Sequence, residues 1–321
     1  MIPSETPVPF TFAALRDRSR WLSQHARNVN SQTGEDGLLA KVSEILDPAL
    51  SHTCVDVGAW DGVHGSNTRE LILAGWRSIQ IEGNPERHAI LAQRYGDQPA
   101  VRCLCSFVQR TGPDSLDALL DQEAYPDEFG LLCIDIDGND WFLWQSLRRR
   151  PRLVLVEYNF SIPDEVSFVQ AADPQVAHGA SLRAFIELGR EKGYELIFAT
   201  GLNALFVTRE HYALFGIPDN SIEVMHVPCF DARTHVFFGY DGTVFVRGAA
   251  RDPWHDLPFP ERHVQILPRA LRKIGGYNRW QRIWFLIIRA SLEGNAWRPQ
   301  KIITTLRVLF TRKRVTNVPN A

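Results

Sequence analysis

The chain has 321 residues, a net charge of −2, 45 % apolar and 22 % charged residues, which allows a sizeable core and excludes a disordered or collagen-like chain. Its five cysteines (Cys54, Cys103, Cys105, Cys133 and Cys229) show neither metal spacing nor a disulfide framework, as expected in a reducing compartment. No run approaches about 18 consecutive apolar residues, which excludes an ordinary transmembrane helix, and MIPSETPVPF lacks the basic and apolar regions of a secretory signal. Charge is unevenly placed: residues 261–321 hold thirteen Lys and Arg against two acids, a net of +11, which leaves −13 on the rest. An acidic body with a basic tail signals a partner for the tail.

Residues 1–30 read as an N-terminal extension, with Phe12, Leu15, Trp21 and Leu22 marking a short helix and Trp21 a packing residue. Ser31-Gln32-Thr33-Gly34 is a turn feeding a helix over 35–46, with Leu38, Leu39, Val42, Ile45 and Leu46 on one face. Thr33 is a candidate N-cap, and Glu35 and Asp36 complement the helix dipole.

The stretch 52–85 is strand, glycine loop, helix, strand, acid. Val55, Asp56 and Val57 close a buried strand. Gly58, Ala59, Asp61, Gly62 and Gly65 stud the loop, 67–74 is helical, and 77–81 is a strand ending on Glu82-Gly83-Asn84. This is the first half of a nucleotide-binding βαβ unit. Glycines let a ligand approach the backbone, helix amides favour a negative group, and Glu82 can accept hydrogen bonds from ribose hydroxyls. No G-x-x-x-x-G-K-[ST] occurs, so a phosphate-cradling P-loop is absent. Asp56 would repel a pyrophosphate and could face a cationic or zwitterionic ligand.

Helices are expected over 86–95, 114–120, 141–147 and 181–192, and strands over 100–107, 129–137, 152–158, 194–199 and 204–207. The last two strands are too closely joined for a helical crossover and should form an antiparallel hairpin. Ser106 ends the third strand. Carboxylates concentrate at the carboxyl ends of consecutive strands, at Asp56 and Asp61, Glu82, Asp135, Asp137 and Asp140, and Glu157 beside Asn159. Ligands of such sheets bind there. Asp137 and Glu157 suit a divalent cation such as Mg²⁺ or a general base, substrate hydrogen bonding, or capping within the Asp135–Asp140 cluster. His178, at a helix start in a substrate-facing loop, is a second base candidate or a turn histidine. His64 faces either a cofactor or solvent, and Asn203 binds substrate or simply makes the hairpin turn.

Val55-Asp56-Val57-Gly58-Ala59 with Gly62, followed by Glu82, resembles motif I and the acidic loop of S-adenosylmethionine (SAM)-dependent methyltransferases. Ser31 to Gly37, Ile134 to Asp140 and Val156 to Asn159 resemble blocks of the FkbM-like branch, and the resemblance covers roughly residues 31–209. It implies a Rossmann-like seven-stranded α/β sheet, parallel with an antiparallel last strand. SAM would be held by Gln32, Asp56, Gly58, Ala59, Asp61, Gly62, Glu82, Gly83, Asn84, Ser106 and Asp135. Glu35 and Asp36 would lie over its methionine end, Ser106 near its adenine. The catalytic candidates are Asp137, Glu157, Asp140, Asn159 and His178. The implied activity is O-methylation of a sugar or polysaccharide hydroxyl. Alternatives are N-methylation of a small amine, or an inactive SAM-fold protein with a membrane or assembly role.

After the methyltransferase domain at 31–215, residues 216–260 form a β-containing cap or sheet extension, with a hairpin over 236–246 turning at Asp241-Gly242. In the tail, 261–321, residues 277–293 place Trp280, Ile283, Trp284, Ile287 and Ile288 on one stripe, with Arg279, Arg282 and Arg289 flanking it. A second helix is expected over 299–310. Such helices pack on their own domain or a second subunit, or lie on an anionic membrane surface; no nucleic-acid module is present. The expected location is cytoplasmic, or peripheral to the inner face of the membrane.

Overall fold

In the computed structural model, residues 11–47, 49–228 and 234–293 are described. The chain divides into two units, Met1–Phe230 and Asp231–Ala321.

The first unit is built on seven strands: β1 (Thr53–Val57), β2 (Arg77–Glu82), β3 (Val101–Cys105), β4 (Leu131–Ile134), β5 (Leu153–Glu157), β6 (Tyr194–Ala199) and β7 (Asn203–Thr208). Their order is β3-β2-β1-β4-β5-β7-β6, with β7 antiparallel to both of its neighbours. This is the expected mixed α/β sheet, six strands running one way and the last against them. The central strands read TCVDV, LLCI and LVLVE because both faces of a parallel sheet are covered by helices. Strand order reverses between β1 and β4, and the crevice at their carboxyl ends is where such a sheet binds ligands.

The helices of this unit are α1 (Phe12–Ser19), α2 (Glu35–Leu46), α3 (Arg69–Leu73), α4 (Pro85–Tyr95), α5 (Leu116–Gln122), α6 (Asp140–Ser146), α7 (Leu182–Glu191), α8 (Arg209–Tyr212) and α9 (Ile222–Met225). Ser181 caps α7 by accepting the Ala184 N–H, and Gly193 turns the chain out of it at φ 80°. Thr33 does not cap α2; Gly34 stands at that position without a side-chain bond. Trp21 packs as expected, its indole N–H donating to the Phe215 carbonyl at 2.8 Å. The deepest aromatic is Trp144, fully buried among Phe185, Tyr194 and Phe206. Ala59, Ile72, Leu91, Tyr95 and Val101 form a smaller apolar cluster of their own.

The second unit holds the hairpin of β8 (Thr234–Phe238) and β9 (Val244–Gly248), turning at Asp241-Gly242 as expected, then α10 (Glu261–Val264) and α11 (Arg279–Leu292). Asn278 and Gln281 close a capping box at the start of α11. The helix expected over 299–310 lies outside the described residues, as does Cys229.

Candidate active site

A cavity of about 680 Å³ opens at the carboxyl ends of β1, β2, β3 and β4, within the size range of small-molecule sites. Gly58, Glu82, Gly83, Asn84, Ser106, Asp135 and Asp137 line it. These seven had been singled out from the sequence.

Glu82 is buried at the tip of β2. Its two carboxylate oxygens each accept one backbone N–H, from Trp60 at 2.8 Å and Asn84 at 2.7 Å. An ionised carboxylate has about four acceptor sites, so the group is fixed in place and still able to accept two hydroxyls. Asn84 in turn caps α4, its side chain accepting from the Glu86 and Arg87 N–H groups. Ser106 Oγ is buried on the cavity wall with no hydrogen-bond partner, a polar atom that a heterocycle could satisfy. Together Glu82 and Ser106 fit a nucleoside: a ribose on the carboxylate and a base beside the serine.

The glycine loop works differently from the expectation. A Cβ on Gly58, at φ 90°, would lie 1.8 Å from the Asp135 carbonyl oxygen, so this glycine lets β1 and β4 meet at their tips. Gly62, at φ 74°, lets the loop settle on Tyr95 and Leu91, and Tyr95 donates to its carbonyl at 2.9 Å. Gly62 and Ala59 therefore support the loop from below the cavity rather than line it. Asp61 accepts the N–H groups of Val63 and His64 and the His64 ring. Burial pushes its carboxyl up, but these hydrogen bonds outweigh that and hold it at about 2. The His64 side chain is solvent-exposed while making that bond.

Asp56 is a correction. Its carboxylate does not line the cavity and accepts the Thr68 hydroxyl at 2.6 Å. Burial pushes it up to about 6, against the hydrogen bonds from Thr68 and Cys133. The helix-amide expectation fails too: α3 begins only at Arg69, nine residues beyond Trp60 on the cavity wall, so its N-terminus is not the cradle.

The Ser31–Gly37 block is also not on the wall. Asp36 accepts the N–H groups of Val29, Asn30 and Ser31 and the Ser31 hydroxyl. Glu35, fully buried, accepts from Thr33, from the Thr200 hydroxyl at 2.9 Å and from Asn203 Nδ2 at 3.0 Å. Gln32 lies over the glycine loop, where a Cβ on Gly65 would come within 2.8 Å of its amide. These residues brace the site.

At the tips of β4 and β5, Asp135, Asp137 and Glu157 each bring an oxygen within 4.8 Å of the others. Burial, then the charges of Asp140, Asp137 and Asp56, push Asp135 up to about 7. Burial and the charges of Asp135, Asp140 and Asp137 push Glu157 well up, so the Asp135–Glu157 pair favours sharing one proton over two full charges side by side. Asp137 stands at φ 57°, a left-handed conformation that Asp tolerates better than most residues, and its exposed carboxylate faces the cavity. Asn203 is the register partner of Glu157 across β7, and its buried Oδ1 has no partner. Three carboxylates whose oxygens converge form a hard oxygen-donor set, which fits a divalent cation.

The remaining candidates are placed elsewhere. Asp140 is buried and closes the loop before α6 by accepting the Ile136 and Gly138 N–H groups; it does not cap the helix, whose N-cap position, Asn139, makes no side-chain bond. Asn159 accepts from Ser161 and donates to the His178 carbonyl, and His178 is exposed with its ring off the cavity wall. Sequence reasoning passed over Trp60, Phe107, Arg110 and Phe142, which also line the cavity. Trp60 sits at φ 52° with the Arg87 guanidinium 4.1 Å above its ring. The signal was present in Gly58-Ala59-Trp60-Asp61, where a bulky aromatic interrupts a loop of small residues.

No protein-family model and no curated protein matches the chain. Among solved structures it is similar to precorrin-6y C5,15-methyltransferase from Geobacter metallireducens, at 14 % identity over 57 % of this chain and 92 % of that one, with a TM-score of 0.36. It is similar to TehB from Haemophilus influenzae at 10 % identity over 55 % of this chain and 63 % of that one, TM-score 0.36. A third is the N-terminal domain of EvdMO1 with SAH bound, at 10 % identity over 62 % and 97 %, TM-score 0.37. The strand order itself makes this a doubly wound, Rossmann-like α/β sheet, and its chemistry has to come from its own residues.

Proposed function

We propose that the chain is a SAM-dependent methyltransferase acting on a hydroxyl, of a sugar or a polysaccharide. The observation that carries this reading is the pairing, at one edge of the sheet, of a ribose-ready Glu82 with an oxygen-rich cluster at Asp135, Asp137 and Glu157. When bound, SAM supplies a methyl group on a positively charged sulfur. The residues of the chain do the rest. Glu82 holds the ribose, Ser106 meets the base, and the glycine loop keeps both walls in register.

A hydroxyl reacts poorly until its proton is taken. Asp137, exposed on the cavity wall, takes that proton, while Asp135 and Glu157 orient the acceptor through the proton they share. A divalent cation would be held by Asp135, Asp137 and Glu157, and would lower the acceptor's pKa. Holding two substrates in line supplies several kcal/mol of the barrier by itself.

Calorimetry with SAM tests the cofactor: binding by the parent chain and its loss in Glu82→Ala are expected, and unchanged affinity overturns the reading. Thermal melts with Mg²⁺ and with excess EDTA test the cation, a rise with Mg²⁺ being expected; identical melts remove it. Mass spectrometry of glycans from a deletion strain, showing the loss of one methyl group, would identify the acceptor.

A further inference from the structure

In the second unit, α11 carries an apolar stripe that none of the described residues covers. Trp280, Trp284 and Ile287 recur at helical spacing on one face and are 77 %, 56 % and 55 % exposed. The stripe is held outward from behind: Gln281 donates to the Ala270 carbonyl at 2.9 Å, and the Phe285 ring packs 5.6 Å from that of Tyr277. Helical spacing puts Arg282 and Arg289 opposite Trp280 with Arg279 to one side, all three exposed.

Charge chooses among the occupants. Residues 261–321 carry thirteen basic residues against two acids. Within the described part, residues 261–293, seven basic residues stand against Glu261 and Glu293, so a second copy docking through the same face would bring like charges together, which opposes association. Phosphate binding alone gives two tryptophans and an isoleucine nothing to do. Indoles at the water boundary, aliphatics below them and arginines at the phosphates describe a helix lying in an anionic membrane surface. No helix among the described residues is long and apolar enough to cross a membrane, so the contact is in the plane.

We propose that α11 docks the protein on an anionic lipid surface, inserting Trp280, Trp284 and Ile287 and setting Arg279, Arg282 and Arg289 among the headgroups. This docking does not depend on what the cavity binds. Flotation of the full chain with vesicles tests it, comparing pure phosphatidylcholine with equal parts phosphatidylcholine and phosphatidylglycerol. Recovery with the anionic vesicles alone, reversed by high salt, is expected. The double variant Trp280→Ala/Trp284→Ala changes exposed residues and should melt like the parent, while its recovery falls roughly tenfold or more. Equal recovery of variant and parent, or equal binding to both vesicles, overturns the proposal. A tryptophan-dependent dimer in light scattering without flotation gives the face to a second copy and overturns it too.

Discussion

In the unit Met1–Phe230, large side chains go inside: Trp144, Phe129, Phe185, Tyr194 and Phe206 are all buried to within 2 % of full coverage. In Asp231–Ala321, the described residues bury only Val244, Val246 and Leu271, and leave thirteen large apolar side chains exposed, from Val236 to Leu292. The difference teaches that one sequence can serve two solvents. The first unit buries a large core and leaves nine large apolar side chains exposed among its described residues. The second leaves its apolar surface unsatisfied and surrounds it with positive charge, and contiguous exposure of that kind marks a contact surface.

The contrast can be broken most sharply with tryptophans. Trp144→Ala should destabilise the first unit by about 3–5 kcal/mol, whereas Trp280→Ala should change stability by no more than about 0.5 kcal/mol. Urea denaturation followed by circular dichroism decides; a similar loss in both would mean that α11 is packed like a core helix. Glycines sharpen the same contrast. Gly58→Ala drives a methyl into the Asp135 carbonyl and should cost about 3 kcal/mol or more, while Gly275→Ala has open space around it and should cost only the roughly 1–2 kcal/mol of a left-handed conformation.

A third comparison sets ligand affinity against fold. Glu82→Gln turns one of the two acceptor oxygens into an NH2 facing a backbone N–H, and should weaken SAM roughly tenfold or more in calorimetry while lowering the melting temperature only modestly compared with Trp144→Ala. A fourth comparison concerns pH. The Asp56 carboxyl is raised in the folded state, so the stability it contributes is complete below about 4 and is lost as pH rises through about 6. The loss amounts to about 3 kcal/mol at most, and it falls on the first unit. Asp56→Asn should flatten that part of the pH–melting curve while leaving vesicle recovery untouched; an unchanged slope would show that Asp56 is not its source.

Much of the first unit was legible because its cues are local. Strands β1, β4 and β5 are unbroken apolar runs, Ser181 and Gly193 bracket α7, and Glu82 ends a strand at the spacing a ribose acceptor needs. Asp56 was misread because its partner is set by the folded loop: the turn over 58–68 brings Thr68 back onto the carboxylate. Glu35 and Asp36 were illegible for another reason. Their partners are chosen by the fold, Thr200 and Asn203 lying more than 160 residues downstream. Trp60 announces itself only once the cavity wall exists.

The Glu35 clasp has a consequence for how the protein is made. A buried carboxylate near the start of the chain waits for its donors until the β6–β7 turn has left the ribosome. Until then the Glu35 carboxylate has only Thr33 and water as donors, and α2 lacks the two long-range hydrogen bonds that seat it. Closure of that one contact also sets Asn203 beside Glu157, which makes completion of the active edge one of the last events of folding.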